Sequence, residues 1–334
     1  MLTVFNTPPP YFTNNEVKDI LFSRYKIKAN SKLLFSDRDQ NFLIKDSFGK
    51  KYILKISNPS ECIDYLKLQS ETTLFIKSNN PDLRVPNLIE DIKSIKKDGI
   101  IYFIRLLKFI EGKFLKDIVL NDDSYFKLGE FIGILDISLD QFDHKFKNSD
   151  FDWDVQVIDL IKSRLTFIDN ENDKKTIRYF LDAYKSNVEI NSLKLRKMYI
   201  HNDGNDQNIL VDRNGRFNGI IDFGDMVYSY RAAEPAICMS YVALGKGESY
   251  KAMANILKGY HSKFPLKNIE LEAITYISFI RLCISVTMAA WRTKLFPSNK
   301  YLLISQEKAW NYLRKIRHED LELFSKKMVD YAQS

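Results

Sequence analysis

Cysteine is scarce in this chain of 334 residues. Cys62, Cys238 and Cys283 lie far apart, none in a CxxC pair and each in an apolar helical context. That excludes a disulfide framework and predicts reduced core thiols in a cytoplasmic protein. No clustering of cysteine with histidine suggests zinc. No block of lysine and arginine is interleaved with aromatics, so nucleic acid is not an expected partner despite a net charge of +7. The charge is compatible with an anionic surface or a phosphorylated ligand, and part of it follows from a composition rich in Lys, Ile and Asn. The most apolar stretch, ITYISFIRLCISVTMAAW, is split by Arg281 and short for a membrane span, so a buried helix is expected and no membrane partner. The opening MLTVFNTPPPYF has no basic region followed by an apolar run and does not read as a signal peptide. Repeats and low-complexity segments are absent.

What remains is ordinary globular composition, at a length suited to one large domain or two lobes. Residues 15–25 carry Val17, Ile20, Leu21 and Tyr25 at helical spacing, with asparagines at hand as caps. Alternating runs in KLLFSDRDQNFLIKDSFGKKYILKIS, broken by a turn at Gly49, predict two or three antiparallel strands ending near Lys55. A helix is expected from Pro59–Ser60 onward, then two strands from NLIEDIKSI and GIIYFIRLLKFI around a turn at Lys97–Gly99. Beyond Glu111 long helical patterns take over, at 124–140, 155–169, 173–187, 249–262, 268–292 and 305–330. Strands first and helices after give an α+β chain in two lobes, divided as 1–107 and 108–334: a small antiparallel sheet with one inserted helix, then a larger, mainly helical lobe.

One loop interrupts the helices. In YIHNDGNDQNILVD, Asp203 and Asn208 stand five apart and precede a short apolar strand; a turn and a second strand end in DFGD, with Asp222 and Asp225. Such a hairpin brings Asp222 near Asn208 and offers a carboxylate and an amide oxygen, hard ligands suited to Mg2+. Asp203 is then left to orient a substrate hydroxyl and accept its proton. Positioning, charge neutralisation and a base are most of what phosphoryl transfer requires. A polar hairpin with capping residues would explain any one of these positions; the ordered series His-x-Asp-x4-Asn, strand, turn, strand, Asp-Phe-Gly-Asp is the pattern of a kinase catalytic loop and metal-binding strand end. Upstream, YILKIS supplies Lys55 on a strand, to hold nucleotide phosphates, and SETTLF supplies Glu71 on the next helix, to hold the lysine.

With these residues the chain resembles the aminoglycoside phosphotransferase/choline kinase superfamily of small-molecule kinases over nearly its whole length. RDQNF, YILKISNP, HNDGNDQNILV, GIIDFGDMVYS, FDHKFKNSDFDWD and RLCISVTMAAW are similar to segments of the hydroxylysine kinase group in particular. The resemblance implies a bilobal protein-kinase-like fold, Asp203 as catalytic base, Asn208 and Asp222 as Mg2+ ligands, Lys55 on the α/β-phosphates with Glu71 as its partner, and Leu107, Lys108 and Phe109 as a hinge for the base of ATP or GTP. It implies a small hydroxyl acceptor, amino-containing, such as hydroxylysine, with homoserine, choline or ethanolamine, a sugar or an aminoglycoside as the alternatives. An inactive nucleotide-binding module is the rival of another class, and all five of Lys55, Glu71, Asp203, Asn208 and Asp222 speak against it. The chain has no GxGxxG before Lys55 and no APE segment, which disfavours a protein kinase. Gly204 stands where the family has a larger residue, and Ser149 where the group has arginine.

The remaining candidates are substrate contacts. Trp153 and Asp154 follow His144 in the helical lobe, and Asp154 is the named partner for an acceptor ammonium. Arg281, Trp291 and Arg292 form a basic-aromatic strip on one long apolar helix, and an arginine inside such a helix needs either an internal carboxylate or a substrate carboxylate. Asp225 either joins the metal field or caps a turn. His201 is expected to serve as scaffold, and Glu234 with Pro235 to start a helix that stops near Gly245.

Overall fold

The computed structural model describes residues 3–147, 150–242, 244, 249–303 and 306–334; Ser149 and Gly245 lie outside them. The chain divides into two compact units, Met1–Leu74 with Val85–Glu111, and Phe75–Arg84 with Gly112–Ser334. A division at Leu107 would cut the last strand of the first unit, which runs to Lys108.

In the first unit, α1 (Asn14–Tyr25) starts at Thr13, not at an asparagine. The Thr13 hydroxyl accepts from the Glu16 N–H at 3.3 Å and Glu16 accepts from the Thr13 N–H at 2.7 Å, a reciprocal cap. Strands β1 (Ala29–Leu34), β2 (Gln40–Asp46) and β3 (Lys51–Ile56) precede α2 (Ile63–Asn79), and β4 (Lys93–Lys97) and β5 (Ile100–Lys108) follow it. They form one antiparallel sheet in the order β1-β2-β3-β5-β4. The β4–β5 turn takes two left-handed residues, Asp98 (φ 51°) and Gly99 (φ 82°), as a two-residue hairpin requires. Alternation sends Phe42, Ile44, Leu54, Ile56, Ile104 and Leu106 into a core shared with Val17 and Leu21 of α1. Helix α2 begins at Ile63, later than Pro59–Ser60, because the Asn58 side chain accepts the Ser60 N–H at 3.0 Å and holds a turn there. Residues 87–92 are not strand; β4 starts only at Lys93.

The second unit contains β6 (Lys113–Phe114), α3 (Asp122–Leu139), α4 (Asp159–Arg164), α5 (Glu171–Asn187), β7 (Lys197–Ile200), β8 (Ile209–Val211), β9 (Phe217–Ile220), β10 (Val227–Tyr230), α6 (Ala233–Val242), α7 (Ser249–Lys263), α8 (Asn268–Leu295), α9 (Gln306–Ile316) and α10 (Leu321–Gln333). The helix expected at 155–169 shrinks to α4 and one 3-10 turn, since Asp154 ties the Gln156 N–H at 3.0 Å and keeps the preceding residues in turns. The helix expected at 305–330 is two, because Asp320 accepts the Leu323 N–H at 3.0 Å and starts α10 afresh. Helix α8 has 28 residues, long and apolar enough to cross a membrane, yet 94% of its most apolar window is buried inside the protein, as a core helix requires. The short pairs β6–β8 and β7–β10 were not evident in the sequence; with β8–β9 they hold the two ends of the polar loop.

Candidate active site

Strand β7 ends at Ile200, and residues 201–208 form the loop into β8. His201 is fully buried. Its Nε2 lies 3.0 Å from the Ile221 carbonyl, which can only accept, so Nε2 carries the proton and Nδ1 accepts the Asp203 N–H at 3.2 Å. Burial holds the ring well below the ordinary histidine range, near 4, in keeping with a neutral scaffold. Asn202 adopts φ 64°, a left-handed conformation that asparagine tolerates. Its N–H is taken by Glu234 at 2.9 Å and its side chain donates to the Asp225 carbonyl at 2.8 Å.

These contacts present the Asp203 carboxylate on the loop. Asn205 Nδ2 donates to Oδ1 at 2.8 Å and Asn208 Nδ2 to Oδ2 at 2.6 Å, while Arg281 Nη2 lies 3.6 Å from Oδ1. Burial, then the Asp225 carboxylate, push Asp203 up to about 8 against the downward pull of Arg281. Asn208 also donates to the Asp203 carbonyl at 3.0 Å. With Nδ2 committed twice, its Oδ1 is the end left for a cation. Ile221 N–H bonds to the Asn208 carbonyl at 3.0 Å, so the hairpin brings exposed Asp222, at φ 64°, next to Asn208 in the ladder. One amide oxygen and one carboxylate fit Mg2+, whose remaining positions go to water and phosphate oxygens. Among the described residues no group of three or more His, Cys, Asp or Glu is arranged to hold a metal.

One substrate assignment needs correction. Asp154 is fully buried and both its oxygens are used, Oδ1 by Ser229 at 2.6 Å and the Gln156 N–H, Oδ2 by Gln156 Nε2 at 2.9 Å. It braces its turn to β10 and cannot meet an acceptor. Arg292 is buried, with its guanidinium 5.6 Å from the Phe296 ring. Trp153 is half-buried, and its carbonyl accepts from Arg281 Nη1 at 2.5 Å. Arg281 therefore has the internal carboxylate, Asp203. Gly204 is explained by Glu234: a Cβ there would lie 3.1 Å from Glu234 Oε1 and 3.5 Å from Ile132.

In the first unit, Lys55 is buried on β3 and registers with Arg105 on β5. Like charges facing each other across strands repel. Asp39 answers both, its carboxylate 4.0 Å from Lys55 Nζ and from Arg105 Nη2. Glu71 is exposed on α2; the buried polar residue two positions earlier, Gln69, accepts from Arg105 Nη1 at 2.7 Å. Burial and the Asp39 carboxylate push Glu61 up to about 7. Leu107 is buried, Lys108 exposed and Phe109 intermediate. The Lys108 N–H is committed to the Asn87 carbonyl at 2.9 Å, which narrows the hinge expected there to the groups around it. Asp39, inside the quoted RDQNF, and Glu234, taken as structural, were visible as residues; their partners were not.

Comparison with known proteins gives the family. Residues 33–265 match the phosphotransferase enzyme family (APH). The chain is 26% identical to hydroxylysine kinase of Mus musculus over 92% of this chain and 90% of that one, and 26% identical to hydroxylysine kinase of Xenopus laevis over 100% and 97%. A solved structure of amicoumacin kinase hAmiN in complex with AMP-PNP, Ca2+ and Ami is similar at a TM-score of 0.66 and 15% identity, covering 88% of this chain and 91% of that one; this likeness speaks to the fold alone. Since the family match takes in Lys55, Asp203, Asn208 and Asp222 alike, the chain belongs to the phosphotransferase enzyme family and is a small-molecule phosphotransferase.

Proposed function

We propose that the enzyme transfers the γ-phosphate of ATP or GTP, with Mg2+, to the hydroxyl of a small amino-containing metabolite such as hydroxylysine. The observation that carries this reading is the Asp203–Asn208 interlock at 2.6 Å, which aims a carboxylate and turns an amide oxygen toward a cation. The full-length similarity to two hydroxylysine kinases supports the acceptor class. In this reading Asp203 accepts a hydrogen bond from the acceptor hydroxyl and takes its proton as the oxygen bonds to phosphorus and the bond to the departing nucleoside diphosphate breaks. Asn208 and Asp222 would hold the metal, which supplies charge neutralisation on the phosphates. Lys55 binds phosphate oxygens, and Asp39 and Arg105 fix where its ammonium stands. Asp225, half-buried beside Asp203, takes over from Asp154 as the carboxylate nearest an acceptor ammonium.

The test is nucleotide consumption with Mg2+ over hydroxylysine, homoserine, ethanolamine and a neutral sugar at equal concentration. Hydroxylysine is expected to give the highest kcat/KM; a neutral sugar winning by a wide margin would end the amino-acceptor reading. Asp203→Asn is expected to lower kcat by ~10²–10⁴-fold with nucleotide affinity nearly intact, the usual cost of losing a general base. Activity within a few-fold of wild type would remove Asp203 from that role.

A further inference from the structure

Three contacts hold the Asp203 carboxylate, and they differ in what they are anchored to. Asn205 and Asn208 sit on the same loop and move with it. Arg281 comes from the middle of α8, a helix buried along nearly its whole length. It is the contact that refers the carboxylate to the protein core.

The guanidinium is itself fixed from several directions. Nη1 donates to the Trp153 carbonyl at 2.5 Å and Nε to the Tyr241 hydroxyl at 3.3 Å. The Trp153 ring lies 4.7 Å from Cζ and the Tyr241 ring 5.7 Å. Trp153 belongs to the turns before α4 and Tyr241 to α6, so three separate segments set its plane. The side chain is 1% exposed and Nη2 lies 3.6 Å from Asp203 Oδ1. A guanidinium so enclosed, with a protein carboxylate beside it, is poorly placed to receive an acceptor's carboxylate. With Nη1 and Nε spent on Trp153 and Tyr241, Nη2 is held as the ion-pair partner of Asp203 Oδ1, a three-way arrangement a lysine ammonium cannot reproduce.

We infer that Arg281 is a positioning residue for phosphoryl transfer: it fixes the Asp203 carboxylate against α8, the Trp153 turn and α6, and does not bind the acceptor. This rests on the reading of Asp203 as the base. Removing the guanidinium leaves Asp203 on a loop with only loop partners, and its oxygens lose their alignment to the acceptor hydroxyl.

The experiment measures kcat and both KM values for Arg281→Lys, Arg281→Ala and Asp203→Asn, with thermal melts. For Arg281→Ala, kcat is expected to fall ~10²-fold, the scale of an ångström-size misplacement, with KM for Mg2+-nucleotide and acceptor little changed. Arg281→Lys should recover little of the loss, and millimolar guanidinium should restore part of the kcat of Arg281→Ala, which a merely structural role would not allow. A raised acceptor KM at unchanged kcat would overturn the inference and give Arg281 to the acceptor; unchanged kcat in a folded Arg281→Ala would also overturn it. If both Arg281 variants fail to fold, Tyr241→Phe decides: loosening one anchor should lower kcat at unchanged nucleotide KM, and wild-type kcat overturns the inference. Asp203→Asn separates the two levels. If it stays active, the base reading fails; if it is dead while the folded Arg281 variants are active, only the positioning role fails.

Discussion

Glu234 Oε2 accepts the backbone N–H of Asn202 at 2.9 Å, so a carboxyl group on α6 fixes the left-handed residue just before Asp203. The other oxygen, Oε1, has no hydrogen-bond partner among the described residues, and neither has Asp136 Oδ1, whose Oδ2 accepts from Tyr260 at 2.6 Å. Burial pushes Glu234 up to about 7, and burial together with the Glu234 carboxylate pushes Asp136 well above the ordinary carboxylate range. Two such carboxyls cannot both be ionised at little cost; protonation supplies the donor that the surroundings lack.

The consequence is a pH-dependent stability with a definite sign. Glu234 titrates at 4.5 when unfolded and near 7 when folded. Between those values the folded state holds more protons, so stability falls as pH rises through that window and levels off above it, at up to about 1.4 kcal/mol per pH unit for one proton. Asp136 contributes with the same sign. Glu234→Gln keeps an acceptor for Asn202 and a permanent donor in place of the acid's proton. Urea unfolding at several pH values between 5 and 8 should show a shallower decline in the variant; an unchanged slope would mean that Glu234 does not carry the proton.

How much of this was readable beforehand follows the range of each interaction. The α+β order, the β4–β5 turn and the spacing of Asp203, Asn208 and Asp222 are local patterns, and they survive in the structure. Asp154 was misread because the signal was a residue type in a resembling segment, whereas its role is set by Ser229, distant in sequence. Arg281 could be seen to need a carboxylate, but which one depends on how α8 packs beside the loop. Gln69, which accepts from Arg105 Nη1 at 2.7 Å, carried no signal of its own, because that contact joins α2 to a strand distant in sequence.

Helices α3 and α7 touch backbone to backbone, which only glycine permits. A Cβ on Gly129 would lie 2.0 Å from the Ile256 carbonyl oxygen, and one on Gly259 would lie 2.0 Å from that of Phe126. Gly129→Ala, although it raises helix propensity, should destabilise the protein by ~1–3 kcal/mol or more through overpacking. Denaturant melts check this; a neutral or stabilising result would mean that the helices separate at no cost.

Asn58 ties together three segments of the first unit. It is 1% exposed; Nδ2 lies within 3.2–3.4 Å of the Thr7, Pro8 and Arg38 carbonyls, and its N–H donates to Asp39 at 3.0 Å. The proline-rich opening segment is thereby fastened to the loop that carries Asp39, and Asp39 stands beside Lys55. Asn58→Ala leaves part-buried carbonyls without their donor, at a cost of up to ~1–3 kcal/mol. KM for nucleotide should rise while KM for the acceptor holds, as steady-state kinetics with each substrate varied would show. Equal changes in both would make the effect one of global stability.

Asn208 and Asp222 should separate metal binding from base alignment. Asp222→Ala removes the carboxylate ligand and should abolish the Mg2+-dependent part of nucleotide affinity in titration calorimetry; an unchanged affinity would refute the metal assignment. In the proposed reading Asn208 has two tasks, because its amide oxygen would face the cation while its nitrogen donates to Asp203 at 2.6 Å. Asn208→Asp keeps an oxygen for the metal but sets a second carboxylate against Asp203, so one of the pair must take up a proton or turn away. Mg2+-nucleotide affinity should therefore survive in Asn208→Asp while kcat falls at least ~10²-fold, the lower end of the cost of a lost base. Asn208→Ala should show the opposite balance, with metal dependence weakened and a milder loss of kcat once Mg2+ is saturating. If Asn208→Asp and Asn208→Ala instead lose affinity and kcat in the same proportion, the amide is not divided between the two tasks, and Asp203 owes its orientation to Asn205 and Arg281 alone.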